Sequence, residues 1–148
     1  MTAYRQNAAN AYANVGFETG ITAASPHQLI TLLFDGALTA IANARQLTEA
    51  KDIIGKGEAI NKATLIIDSG LRAALNLEQG GELAKNLDDL YQYMLKRLVE
   101  AHLHNKLEFL DEVTQLLNDI KSAWATLDPQ TAVDESASQA NASIHVAG

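Results

Sequence analysis

The sequence predicts an all-α chain, an antiparallel four-helix bundle with a short N-terminal helical segment and a disordered C-terminal tail. Three observations carry that prediction. Four stretches of about 20 residues repeat apolar side chains at helical spacing, and the connections between them are short, which makes sequential helices antiparallel neighbours. Abundant Ala and Leu, only 5% aromatic residues and two prolines favour helix throughout. No segment alternates apolar and polar residues between turn signals, so no strand is expected. A chain of 148 residues makes one domain of ordinary size. The bundle domain is placed at 1–128, with an N-terminal arm over 1–24, and the tail at 129–148.

The arm carries Ala8, Ala11, Tyr12 and Val15 at helical spacing from Tyr4 to Val15, closed off by Gly16 and Gly20. Three turns are too short to persist alone, so this helix must dock on something. The first long helix has an unambiguous start. Ser25 is a good N-cap, and Pro26 sits at the one helical position where a missing N–H does no harm. Wound at about 100° per residue, the segment to Thr48 sets Leu29, Ile30, Leu33, Phe34, Ala37, Ala40, Ile41, Ala44 and Leu47 on one broad arc. Leu32 and Leu38 flank it, and the polar strip of Thr31, Asp35, Thr39 and Gln46 is narrow. A stripe that wide means burial on two sides, either at the centre of the fold or beneath something else.

Asp52 is the candidate N-cap of the second helix, whose one face holds Ile60, Ala63, Ile67, Leu71 and Ala74. Gly55 and Gly57 blur its start, because each costs about 1 kcal/mol relative to Ala inside a helix. Gly80 and Gly81 suit a turn, after which the third helix runs from Glu82 to Leu103 with Leu83, Leu87, Leu90, Tyr91, Met94, Leu98 and Ala101 in register. The fourth, Asn105 to Leu127, carries Phe109, Val113, Leu116, Leu117, Ile120, Trp124 and Leu127, and Asp128 with Pro129 ends it. From Pro129 onward there is no Leu, aromatic residue, Lys or Arg, too little apolar surface to offset the entropy of ordering.

Composition narrows the function. The absence of cysteine removes disulfides, thiol nucleophiles and cysteine metal sites. The opening MTAYRQNAAN has no apolar leader core, and no run approaches the roughly 18 apolar residues of a spanning helix, so a soluble, cytoplasmic chain without membrane insertion is expected. A net charge of −7 opposes phosphate backbones and anionic lipid, and no nucleic-acid partner is expected.

Chemistry is equally sparse. A di-iron bundle needs Glu-x-x-His on two helices, and no Glu here is followed by His three residues on. His102 and His104 point to different faces and belong to a solvated helix end; His27 reads as a surface residue. Met94 at a core-facing position is packing rather than a haem ligand. The acidic pairs Asp88 with Asp89 and Asp111 with Glu112 splay apart as solvated faces. No nucleophile elbow or phosphate loop occurs, so no catalytic residue, cofactor or metal site is expected. Asn141-Ala142-Ser143 matches a glycosylation sequon without a secretory context.

Two mid-helix glycines, Gly36 and Gly70, imply either close helix packing or an exposed groove for a partner helix. Tyr93, away from the Leu87, Tyr91, Met94 arc, and Val99 at its flank pose the same choice, since aromatic and Met side chains suit a groove edge.

At these residues the sequence becomes recognisable. TAASPHQLITLLFDGAL, KGEAINKATLIIDSGL, GGELAKNLDDLYQYMLKRLVEAHLHN and LLNDIKSAW, in that order, resemble the flagellin-specific export chaperone family, FliS, over about Tyr12 to Leu127. The resemblance implies an antiparallel bundle that binds the C-terminal segment of flagellin in the cytoplasm, prevents premature polymerisation and delivers it to the flagellar type III export gate. It further implies contacts with the export-gate cytoplasmic domain and with the anti-sigma regulator of late flagellar genes. Partner-binding positions carried over by the resemblance are Tyr12 in the arm, Leu32, Leu33 and Asp35 on the first helix, Ile60, Ile67 and Leu71 on the second, and Leu90, Tyr91 and Met94 on the third. Each apolar one among them is equally compatible with internal core. A helical adaptor for another secreted or regulatory protein is the alternative, and a ligand-binding bundle enzyme the outsider.

Overall fold

The computed structural model of the chain describes residues 2–16 and 25–127. All of its regular structure there is helical: α1 (Thr2–Asn14), α2 (Pro26–Glu49), α3 (Ile53–Leu65) continued by a π-helix (Ile66–Arg72), α4 (Leu77–His104) and α5 (Leu107–Ala125). The expected disordered tail, and the arm's last residues 17–24, lie outside the described residues.

Helix α2 starts where the sequence says. The Ser25 hydroxyl accepts from the Gln28 N–H at 3.1 Å while the Gln28 side chain accepts from the Ser25 N–H at 2.9 Å, a complete capping box with Pro26 just inside. Its broad apolar arc has a structural cause. Helix α2 packs on α1, α3, the π-helix and α5 at once, and of its neighbours in the bundle only α4 lies across the diagonal. Leu33, Phe34, Ala37, Ile41 and Ala44 are essentially sealed from solvent as a result. Around the bundle the order is α2, α3 with the π-helix, α4, α5 and back to α2, with sequential helices antiparallel as their short connections require.

The second helix begins at Ile53, with the Asp52 carboxylate accepting from the Gly55 N–H at 3.0 Å, so Gly55 and Gly57 lie inside it rather than before it. Past Leu65 the helix widens to π geometry, and the seven residues of that segment bury Ile66, Ile67, Gly70 and Leu71. Gly70 resolves the choice left by the sequence in favour of close packing. A β-carbon there would lie 3.0 Å from Leu33 Cδ2 and 3.3 Å from Val15 Cγ1.

Helix α1 docks on α2 and the π-helix. It runs against the π-helix with Asn7 Nδ2 donating to the Leu75 carbonyl and Asn14 Nδ2 donating to the Ser69 carbonyl, and Ala8, Ala11 and Tyr12 are buried beneath it. The expected turn at Gly80 and Gly81 is present as a break at Gly81, between a single helical turn and the long helix that follows. Asn76 caps an extra turn, Leu77 to Gly80, through the Gln79 N–H, and Gly81 then adopts φ 55°, ψ −133°, open to glycine alone. The regular helix resumes at Glu82, and Leu83, expected in the core register, is exposed. In α5 the buried residues are Leu110, Val113 and Leu117, with Phe109, Leu116, Ile120 and Trp124 half-buried and Leu127 exposed.

The acidic pairs are not simply solvated. Asp88 accepts from Arg72 at 2.7 Å, tying the π-helix to α4; Asp111 accepts from Arg45 at 2.8 Å and Glu112 from Arg97 at 2.7 Å, tying α5 to α2 and α4. Tyr93 also donates to Glu112 at 2.8 Å, so its ring closes an α4–α5 seam and does not edge a groove. Hydrogen bonds from Arg72 hold the Asp88 carboxyl below the usual carboxylate range, and those from Tyr93 and Arg97 do the same for Glu112.

The helix end at His104 is solvated as expected, with Leu103, His104 and Asn105 exposed, but His102 is half-buried. Lys56, only 5% exposed, donates from Nζ to the His102 carbonyl at 3.0 Å and to Asn105 Oδ1 at 2.6 Å. The half-buried His102 ring faces Gly57, and its Nδ1 has no partner among the described residues.

Candidate functional site

The core is not closed at the end where α2 and α4 begin and where the π-helix and α5 finish. Extended packing runs out there because α4's first turn is set off by the Gly81 break, leaving the inner faces of four elements without a common filling. The result is an open cleft of about 370 Å³. Ile30 and Phe34 contribute from α2, Leu71, Ala74 and Leu75 from the end of the π-helix, Leu83, Ala84, Leu87 and Tyr91 from α4, and Ile120 and Trp124 from α5. Asn76 and Gln79 bring polar side chains to its lining, beside the Tyr91 hydroxyl and the Trp124 indole. Burial pushes the Tyr91 phenol far above its ordinary range, so the ring enters the wall as a neutral group.

A concave apolar surface with a few polar groups at one margin is suited to apolar side chains of a partner. Nothing in it resembles a reaction centre. Among the described residues the cleft lining contains no carboxylate, histidine or lysine, and no three His, Asp or Glu side chains gather as a metal site. Among the described residues no helix is long and apolar enough to cross a membrane.

The ten positions carried over by the resemblance divide sharply. Tyr12, Leu33, Ile60, Ile67, Leu71, Tyr91 and Met94 are buried, Asp35 and Leu90 are half-buried, and Leu32 is exposed at 43%. Only Leu71 and Tyr91 line the cleft. Leu33, Ile60, Ile67 and Met94 fill the bundle interior, and Asp35 is ion-paired with Lys121 across the α2–α5 contact. The carried-over set follows apolar helical arcs, and an arc marks the inward face without separating filled core from its open end.

Residues that make the cleft but were not singled out are Ile30, Phe34, Leu75, Leu83, Leu87, Ile120 and Trp124. His27 was expected on the surface and is not free there. Its ring stacks on Trp124 with centroids 4.6 Å apart and planes within 6°, at the margin of the cleft. A local signal existed for Ile120 and Trp124, which share one face of α5, but nothing in the sequence pairs Trp124 with a residue 97 positions earlier.

The family model described as Flagellar protein FliS matches residues 8–131. The chain belongs to the FliS family. It is 47% identical to the flagellar secretion chaperone FliS of Salmonella typhimurium over 133 residues, which cover 90% of this chain and 98% of that protein. To the flagellar secretion chaperone FliSB of Pseudomonas aeruginosa it is 49% identical, over 82% of this chain and 95% of that one. At greater distance, the Bacillus subtilis flagellar secretion chaperone FliS is 34% identical over 83% of this chain and 81% of its own length. The matched region of the family contains every element that lines the cleft.

Proposed function

We propose that this chain is a cytoplasmic flagellar export chaperone that holds the C-terminal segment of flagellin, prevents its premature polymerisation and delivers it to the flagellar type III export gate. The observation that supports this reading best is the apolar cleft at the open end of the bundle, in a chain whose family members are named flagellar secretion chaperones. A segment that folds on binding presents apolar residues at i, i+3, i+4 and i+7 to such a cleft, and the ordering it must undergo moderates the affinity enough to permit release. Leu71 and Tyr91 are the carried-over positions that meet the client in the cleft, and exposed Leu32 offers a further apolar contact on α2. The export-gate cytoplasmic domain and the anti-sigma regulator of late flagellar genes are proposed as further partners, on the resemblance alone.

Titration calorimetry with the isolated flagellin C-terminal segment tests the proposal. A stoichiometric complex with sub-micromolar affinity and a negative heat capacity of binding is expected. Absence of heat, together with no complex in gel filtration, refutes it.

A further inference from the structure

Trp124 is the chain's single tryptophan, it lines the cleft, and it sits on the next-to-last residue of α5, where helices fray. An indole at such a place needs something to hold it. His27, in the first turn of α2, makes three contacts with Trp124. The rings stack with centroids 4.6 Å apart and planes within 6°. His27 Nε2, which must carry its hydrogen to do so, donates to the Trp124 carbonyl at 2.8 Å, alongside the Leu127 N–H that the same carbonyl accepts at 3.0 Å. In return Trp124 Nε1 donates to the His27 carbonyl at 3.2 Å.

Helix α2 does not depend on this pair for its start, since the capping box of Ser25 and Gln28 and the proline at its first position already define it. Nor does the α2–α5 contact, whose two helices bury Phe34, Val113 and Leu117 and are tied by Arg45 to Asp111 and Lys121 to Asp35. What the pair does determine is where the indole stands along the cleft margin. We propose that His27 is a positioning residue for partner binding: it clamps Trp124 as a fixed wall of the apolar cleft, so that an incoming helix meets a preformed surface and not a mobile side chain. Preorganisation of this kind lowers the ordering cost of association without adding a contact to the partner. The inference rests on the reading that the cleft receives the flagellin segment.

The test uses the full chain, the wild type beside His27→Ala and His27→Phe, with the synthetic C-terminal segment of flagellin as probe and Trp124 emission as an internal reporter. In the wild type, adding the segment shifts or quenches the emission. His27→Ala is expected to show red-shifted, more mobile emission before any addition and at least tenfold weaker binding, with its urea midpoint close to wild type. His27→Phe, which keeps the stacked ring and gives up the Nε2 bond, is expected to recover binding to within about threefold. Equal binding by His27→Ala and the wild type overturns the clamp alone. Weaker binding accounted for by an equal fall in folded fraction also overturns it, because His27 would then be merely structural. Failure of the wild type to bind the segment, or binding that leaves Trp124 emission untouched, overturns the cleft reading and the clamp with it.

Discussion

Replacing Gly70 by alanine separates the docking of α1 from the stability of the bundle. In open helix the change would gain about 1 kcal/mol from backbone entropy. Here the new methyl would lie 3.0 Å and 3.4 Å from the two δ-carbons of Leu33 and 3.3 Å from Val15 Cγ1. Leu33 is sealed on every side and cannot rotate away, whereas Val15 is half-buried at the end of α1. Overpacking of this sort costs about 1–3 kcal/mol, so the net loss is about 1 kcal/mol, and the direction of relief is outward through Val15. Helix α1 is 13 residues long, too short to persist alone, and its described contacts include the buried Ala8, Ala11 and Tyr12 and two long amide bonds to Leu75 and Ser69. Urea unfolding with hydrogen exchange read by mass spectrometry is the assay. Gly70→Ala should lower the midpoint modestly while peptides covering residues 6–16 lose most of their protection and those from α2, α4 and α5 retain theirs. A raised melting temperature with α1 still protected would show that the neighbours absorb the methyl and that Gly70 was not kept small by packing.

Three other outcomes follow from particular contacts. Tyr12→Ala, which removes a buried anchor of the arm, should raise self-association of the free protein in light scattering, by uncovering apolar surface on α2 and the π-helix; unchanged scattering would leave the arm without a covering role. Lys56→Met strands the His102 carbonyl and Asn105 Oδ1 at the close of α4, and should cost about 1–3 kcal/mol in chemical denaturation; a gain in stability would mean that burying the ammonium costs more than its two hydrogen bonds return. Asp88 and Glu112 are held below the ordinary carboxylate range in the folded chain, so their ionised forms stabilise it above about pH 4.5 and that contribution fades as pH falls through their lowered values. Stability should therefore be flat from neutral to about pH 5 and fall below it, and Asp88→Asn should be less stable at pH 7 with a shallower acid decline; an unchanged acid profile would remove the Arg72 pair from the account.

Much of the architecture was local and therefore legible. Ser25, Pro26 and Gln28 define the start of α2 through bonds made within one turn, and Asp52 and Asn76 act in the same way on α3 and α4. The apolar arcs gave the inward faces of α2 and α3 because periodicity is a property of the helix itself. The resemblance identified the family for the same reason: its four blocks are contiguous runs. Gly80 and Gly81 read as a turn between helices, and Gly81 does break the chain direction there, with the long helix following from Glu82; the single helical turn that Asn76 caps ahead of them was not read.

The site belonged to the tertiary structure. Leu33 and Leu71 lie on equally apolar arcs, but one is enclosed by α1, the π-helix and the bundle while the other borders the cleft, and only the packing of non-neighbouring elements distinguishes them. His27 looked like a surface residue because its partner is 97 positions away, and Asp88 looked solvated because Arg72 reaches it from another helix. The sequence by itself determined the helices, their starts, their inward faces and the family. Which apolar residues fill the core, which line an open cleft, and which polar groups are paired were decided by the arrangement of the helices, because burial and pairing are relations between segments that helical periodicity does not encode.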